Sequence, residues 1–179
     1  MIEEVVLVNE KDEAVGTMEK MAAHEQAILH RAFSVFVFNK NGDVLMQQRA
    51  HSKYHSGGLW TNTCCSHPRP GEHVAEAASR RLQEEMGFTT SLTKVFDFTY
   101  KANFDNGLTE YEFDHVFTGQ YDGPVDFNTE EVAAYSFMPA QELEQQIQET
   151  PERFTAWFHI AYPALKAWMA EPQNQIHAV

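Results

Sequence analysis

Apolar residues along this chain follow two periods. Ala32–Phe38 (AFSVFVF) is apolar on both of its alternating faces, which predicts a central strand covered on each side. Glu4–Asn9 (EVVLVN) predicts an opening strand, followed by a turn over Lys11–Gly16. Asn39–Gly42 reads as a second turn, with Asp43–Gln48 (DVLMQQ) returning as the hairpin partner of Ala32–Phe38. Phe96–Tyr100 and Glu110–Thr118 alternate as strands around the Asp105-Asn106-Gly107 turn. The helical period governs Glu72–Met86, where Val74, Ala78 and Leu82 recur at i, i+4 and i+8. Gly87 then stands where a left-handed C′ residue belongs. A short helix over Ala140–Gln148 follows Pro139, and Phe154–Ala170 forms a last helix kinked at Pro163. Ala50–Pro70 shows neither period and is rich in Gly, Ser, His and Pro, so it reads as a long loop with at most a short strand. Its Trp60, its paired cysteines and its three histidines favour a functional loop over a disordered one. Without repeats or a linker, the pattern predicts a single α/β (α+β) domain over 1–179, a mixed sheet with helices packed on it.

Composition narrows the function. A chain of 179 residues can bury one sizeable core. No apolar run reaches bilayer length, and Met1–Val8 opens with acids where a signal peptide would be basic. A cytoplasmic protein is expected. Cys64 and Cys65 are neighbours and cannot staple distant segments, so reduced thiols are the natural reading. A net charge of −13 argues against nucleic acid, whose phosphates it would repel. Any anionic substrate therefore needs a local cluster of cations, bound metals, or both.

The helix over Glu72–Met86 ends in Arg80-Arg81-Leu82-Gln83-Glu84-Glu85. Its charges could be an ordinary solvated face pairing Arg80 with Glu84 and Arg81 with Glu85, although this order is the weaker one for such pairs. Both glutamates oppose the helix dipole, at a cost of roughly 0.3–1 kcal/mol each. A divalent cation held by carboxylates would offset that cost. On Thr109–Phe117, Glu110, Glu112 and Asp114 share one face, because strand side chains repeat every two residues. An edge strand showing that face to water is the ordinary reading. A metal bridging Glu110 and Glu112 is the second. With two carboxylates, His24, His30 and His67 would complete a mixed nitrogen and oxygen shell suited to manganese, zinc or magnesium. Cys64 reads as a small buried hydrophobe, whereas Cys65 lies two residues from His67.

Ser66–Phe88 (SHPRPGEHVAEAASRRLQEEMGF) has the length and layout of the Nudix signature, with Glu72, Arg80, Glu84, Glu85 and Gly87 in register. Ser66 stands for its opening Gly, and Arg81 for the Glu that follows its Arg. The second departure removes a carboxylate from the hydrolytic metal cluster. Together with His30–Asn39 (HRAFSVFVFN), Trp60–Pro68 (WTNTCCSHP) and the Glu110-Tyr111-Glu112 strand, the segment closely resembles type I isopentenyl diphosphate isomerases over roughly residues 2–165. The resemblance implies a Nudix-like core over about 30–165 and a 1,3-allylic proton shift converting isopentenyl diphosphate to dimethylallyl diphosphate through a tertiary carbocation. It makes Cys65 and Glu112 the catalytic pair, with donor and acceptor roles left open. Tyr100 and Trp157 would line the alkene pocket, with a core role for Trp157 equally open. His24, His30, His67, Glu110 and Glu112 would hold manganese, zinc or magnesium, and Glu85 the Mg2+ that accompanies the diphosphate. Lys20, Arg49, Lys53 and Arg81 would contact its oxygens, which answers the charge problem.

The implied partner is a small diphosphate and neither nucleic acid nor membrane, with a monomer the favoured state. The rivals are a Nudix pyrophosphohydrolase acting on a nucleoside diphosphate derivative, which gives Cys65 no role, and a metal-stabilised module that binds a phosphorylated ligand without turnover.

Overall fold

The computed structural model describes residues 3–177. Its scaffold is β3 (His30–Phe38), which pairs along its whole length in parallel with β8 (Thr109–Gln120), from His30 opposite Glu112 to Phe38 opposite Gln120. The other edge of β3 is divided among three strands. β1 (Glu4–Val8) meets it at His30, β6 (Cys64–Ser66) at Phe33–Val35, and β4 (Val44–Arg49) at Phe38. β2 (Ala14–Glu19) pairs with β1, and β5 (Trp60–Thr61) with β4. β7 (Thr93–Asn103) pairs with β8, and β9 (Val132–Met138) with β4, so all nine strands form one mixed sheet.

Helices cover both faces, as the double-sided apolar pattern of β3 requires. On one face, Phe33, Val35 and Val37 pack with Ala77, Ala78, Leu82 and Met86 of α2 (Val74–Met86). On the other, Phe36 and Val116 pack with Leu143 of α3 (Ala140–Glu149) and Phe158, Ala161 and Leu165 of α4 (Ala156–Ala170). The remaining helix, α1 (Lys20–Glu25), is only six residues long. The Glu19 side chain caps it by accepting from the Met21 and Ala22 amides. Gly87 ends α2 at φ 78°, and a Cβ there would lie 2.1 Å from the Asp126 carbonyl oxygen.

Four expectations change. Lys11–Gly16 is not wholly a turn, because β2 begins at Ala14. The hairpin of Ala32–Phe38 with Asp43–Gln48 meets at the single rung Phe38–Val44, because β9 takes the edge of β4 and β6 takes the middle of β3. Ala50–Pro70 carries two short strands rather than at most one. The strand with three acids is no edge: β8 lies between β3 and β7, and Glu110, Glu112 and Asp114 are only 4%, 6% and 2% exposed. Among the described residues no helix is long and apolar enough to cross a membrane.

Candidate active site

Strand parity brings the chemistry to the α4 side of the sheet. Ser34 of β3, Cys65 of β6 and Glu110, Glu112 and Asp114 of β8 all line one cavity, with Trp157 of α4 above them. Cys64, one residue away, points into the α2 core and is fully buried there.

The Cys65 thiol is held on several sides. Trp157 Nε1 donates to its Sγ at 3.1 Å, and Sγ lies 3.0 Å from Asn62 Oδ1. The amide of Asn62 is oriented by its own donations to the carbonyls of Val35 and Cys64. Its oxygen therefore faces the sulfur as an acceptor and holds the S–H as a donor. Burial, with the nearby Asp114 carboxyl, pushes the thiol up to about 12. Asp114 is itself driven well above the carboxylate range by burial and the Glu112 charge, and it accepts from Ser34 Oγ at 2.7 Å.

Glu112 has the opposite bias. Burial would raise its pKa, but His30 and His67 outweigh it and hold the carboxyl well below its ordinary range. Its Oε1 lies 2.9 Å from His67 Nε2 and 3.4 Å from His30 Nε2, and its Oε2 accepts from Tyr100 at 2.6 Å. Tyr100 also lies 2.9 Å from Glu110 Oε2, and one phenolic proton cannot serve both carboxylates. Burial and the Glu112 charge push Glu110 up to about 8, so Glu110 is the acid that carries a proton here.

One ligating atom from each of His24, His30, His67 and Glu112 lies within 4.8 Å of the others, all on buried side chains. His24 and His30 use Nδ1 against the carbonyls of Lys20 and Ile28, at 2.7 and 2.8 Å, which leaves each Nε2 without a partner. Burial pushes His67 down to about 4 and lowers His24, which keeps their lone pairs free. His30 moves up despite burial, because Glu112 faces it. Unpartnered buried nitrogens around a carboxylate are a donor set that fits a divalent ion. Glu110 stands apart from this quartet and groups with His24 and His55 instead.

The expected phosphate contacts Lys20, Arg49, Lys53 and Arg81 also line the cavity, with Glu85. Lys20, Lys53 and Arg81 continue into a wider mouth of about 670 Å³. Most of them are paired with acids: Lys20 with Glu3 at 3.1 Å, Lys53 with Glu131, and Arg81 with Glu85 at 2.6 Å. Arg49 makes no such pair among the described residues; it lies 5.2 Å from the centre of the Trp157 ring. Glu85 is held by Arg81 and by Gln47 Nε2 at 2.9 Å.

The NUDIX domain family matches residues 28–158 of the chain. The isopentenyl-diphosphate Delta-isomerase of Pectobacterium atrosepticum is 49% identical over 173 residues, covering 96% of this chain and 97% of that one. The enzymes of that name from Serratia proteamaculans and Burkholderia multivorans are 49% and 47% identical, covering 88% and 94% of this chain and 88% and 98% of theirs. This chain belongs to the isopentenyl-diphosphate Delta-isomerase family. The fold extends further: the crystal structure of DR0079 from Deinococcus radiodurans matches with a TM-score of 0.69 at 23% identity, over 83% of this chain and 90% of that one. A MutT protein from Methanosarcina mazei matches with a TM-score of 0.65 at 17% identity, over 80% of this chain and 96% of that one.

In this isomerase-family chain, several residues at the site went unread in sequence. Asn62 had a signal in its place three residues before Cys65, and Asp114 in its alternation with Glu112. His55 sat in a loop without any period, and Tyr54 and Gln47 carried no signal at all.

Proposed function

We propose that this chain converts isopentenyl diphosphate to dimethylallyl diphosphate by a 1,3-allylic proton shift, a step of isoprenoid biosynthesis. One observation carries the reading. A half-buried thiol held protonated, Cys65, and a buried carboxyl held ionised, Glu112, line the same cavity. The kinship with enzymes of that name supports it.

The reaction adds a proton to the terminal alkene carbon and removes one two carbons away, so no net proton is consumed. Between them Cys65 and Glu112 supply the donor and the acceptor, the thiol resting with its proton and the carboxyl without one. The tertiary cation formed between these steps needs a dry, electron-rich wall. Trp157 and Tyr100, 3% and 5% exposed, supply aromatic surface there, and Trp157 Nε1 fixes the sulfur. Lys20, Arg49, Lys53 and Arg81 bind the diphosphate, and Glu85 holds the Mg2+ that travels with it. His24, His30, His67, Glu110 and Glu112 hold manganese, zinc or magnesium, which when bound biases the acidity of the Glu112 carboxyl. The working unit is a cytoplasmic monomer over 1–179 with a Nudix-like core over about 30–165, and it acts without nucleic acid or membrane partners.

Arg81 argues against hydrolysis: it places a guanidinium against Glu85 where the hydrolytic signature has a carboxylate. Incubation with Mg2+ and either isopentenyl diphosphate or nucleoside diphosphate derivatives separates the readings. Dimethylallyl diphosphate without phosphate release is expected. Phosphate release from nucleotides with no isomerisation would overturn the reading, and inactivity on both would leave a binding module.

A further inference from the structure

Thr155 stands where a helix cap belongs and does not act as one. It holds the N-cap position of α4 with φ −69° and ψ 153°, where a threonine hydroxyl ordinarily accepts from an amide of the first turn. Its side chain makes no such bond. The hydroxyl instead reaches across to β5 and donates to Thr61 Oγ1 at 3.0 Å, while the Thr155 amide donates to the Trp60 carbonyl at 3.0 Å. Thr155 is fully buried and Thr61 is 1% exposed, so each hydroxyl depends on its protein partners.

Thr61 carries the link onward. Its Oγ1 donates to Asn62 Oδ1 at 2.9 Å, the same oxygen that lies 3.0 Å from Cys65 Sγ. Both lone pairs of that oxygen are then engaged, one by the hydroxyl and one by the thiol. Thr61 Oγ1 itself comes within 3.9 Å of the sulfur. Trp157, whose Nε1 donates to the same sulfur, stands two residues beyond Thr155 on α4. The contacts close a ring: Thr155 to Thr61, Thr61 to Asn62, Cys65 to Asn62 and Trp157 to Cys65, completed by the first turn of α4. Such a ring fixes the place of the sulfur and the direction of its S–H together, because no member turns without breaking a bond to the next.

We propose that Thr61 and Thr155 are positioning residues for the Cys65 thiol. Thr61 acts through the Asn62 oxygen, and the Thr155 hydroxyl acts through Thr61. Lys20, Arg49, Lys53 and Arg81 stand outside the ring, so substrate binding should change little when a hydroxyl is removed. The inference rests on the proposed isomerase reading for its effect on rate, whereas the ring itself can be read without turnover.

The test compares valine and serine at each position. Thr61→Val and Thr155→Val keep the branched shape and remove the hydroxyl, whereas Thr61→Ser and Thr155→Ser keep the hydroxyl. Each valine variant should lower kcat for isopentenyl diphosphate about tenfold with KM within about twofold, and each serine variant should stay within about threefold of the parent. Adding Thr155→Val to Thr61→Val should cost less than about threefold more, because the chain is already broken. In the free enzyme, the NMR resonance of the Trp157 indole N–H, assigned with Trp157→Phe, should move in both valine variants and return in both serine variants. A folded valine variant at the parent kcat, a double variant showing the full product of the two losses, or an indole resonance unmoved by Thr61→Val would each overturn the positioning role. A parent inactive on isopentenyl diphosphate would sink the isomerase reading instead, and the indole resonance would still decide this one. Should Thr61→Val fail to fold, the Thr155→Val and Thr155→Ser pair carries the same comparison of kcat, KM and indole resonance.

Discussion

Trp157 Nε1 donates to Cys65 Sγ at 3.1 Å, joining the last helix to the short strand in the middle of the sheet. The contact makes Trp157 both a core residue and a wall of the reaction cavity, since it is 3% exposed. The two roles separate by mutation. Trp157→Phe keeps an aromatic ring and loses the donor, so kcat should fall about tenfold, the loss of one hydrogen bond of about 1–1.5 kcal/mol, with little change in thermal stability. Trp157→Ala should lose about 3–5 kcal/mol of stability as well. Steady-state kinetics beside thermal unfolding of both variants checks this.

Asn62 holds the thiol proton through an oxygen oriented by two backbone carbonyls. Asn62→Ala frees the S–H and leaves Val35 O and Cys64 O short of a donor. Activity should fall at least about tenfold, and stability by about 1–3 kcal/mol. Unchanged kinetics in a folded variant would show that the thiol does not depend on this acceptor.

Arg49 is the cavity cation without a carboxylate partner among the described residues. Arg49→Ala should raise KM for isopentenyl diphosphate about 10–100-fold, the worth of a charge-assisted contact of about 1.5–3 kcal/mol. KM should move more than kcat, and an initial-rate series over substrate concentration reads the split.

Acid should remove the contribution of His67 to the stability of the metal-free protein. His67 is pushed down from 6.5 to about 4 in the folded chain, so the unfolded state binds more protons between those values. Its contribution is therefore intact above pH 6.5 and lost as pH falls toward 4, on the order of 3 kcal/mol in all. His55, pushed down to about 3, acts in the same direction, while His30, Glu110 and Asp114, all moved up, oppose both. The denaturant midpoint of the metal-free parent, taken relative to that of a His67→Gln variant, should decline from pH 6.5 to 4. A bound divalent ion should raise the midpoint most at the upper end of the window and make its fall toward pH 4 steeper, because protons compete for the same nitrogens.

Much of the fold was legible because period and burial agree. The doubly apolar β3 is the sheet's central strand, and Val74, Ala78 and Leu82 mark the helix that Gly87 ends. What went unread had no period to show. β2 is exposed along most of its length, and α1 is a single short helix held by the cap from Glu19. The acids of β8 misled for a physical reason: polar alternation normally marks a solvent face, and here that face is buried against histidines. Side-chain identity showed which residues carry chemistry. It could not show that His55 lies beside Glu110, because that depends on where a loop without periodicity lays one imidazole.

The most direct test of the proton-shift account is turnover of isopentenyl diphosphate with Mg2+ in heavy water, with the product read by proton and deuterium NMR. A solvent-exchangeable proton held by the enzyme should place deuterium in a methyl group of dimethylallyl diphosphate. Cys65→Ala, folded, should be slowed at least about a hundredfold. Product without deuterium, or a Cys65→Ala variant that turns over at the parent rate, would contradict the roles given to the thiol and to Glu112.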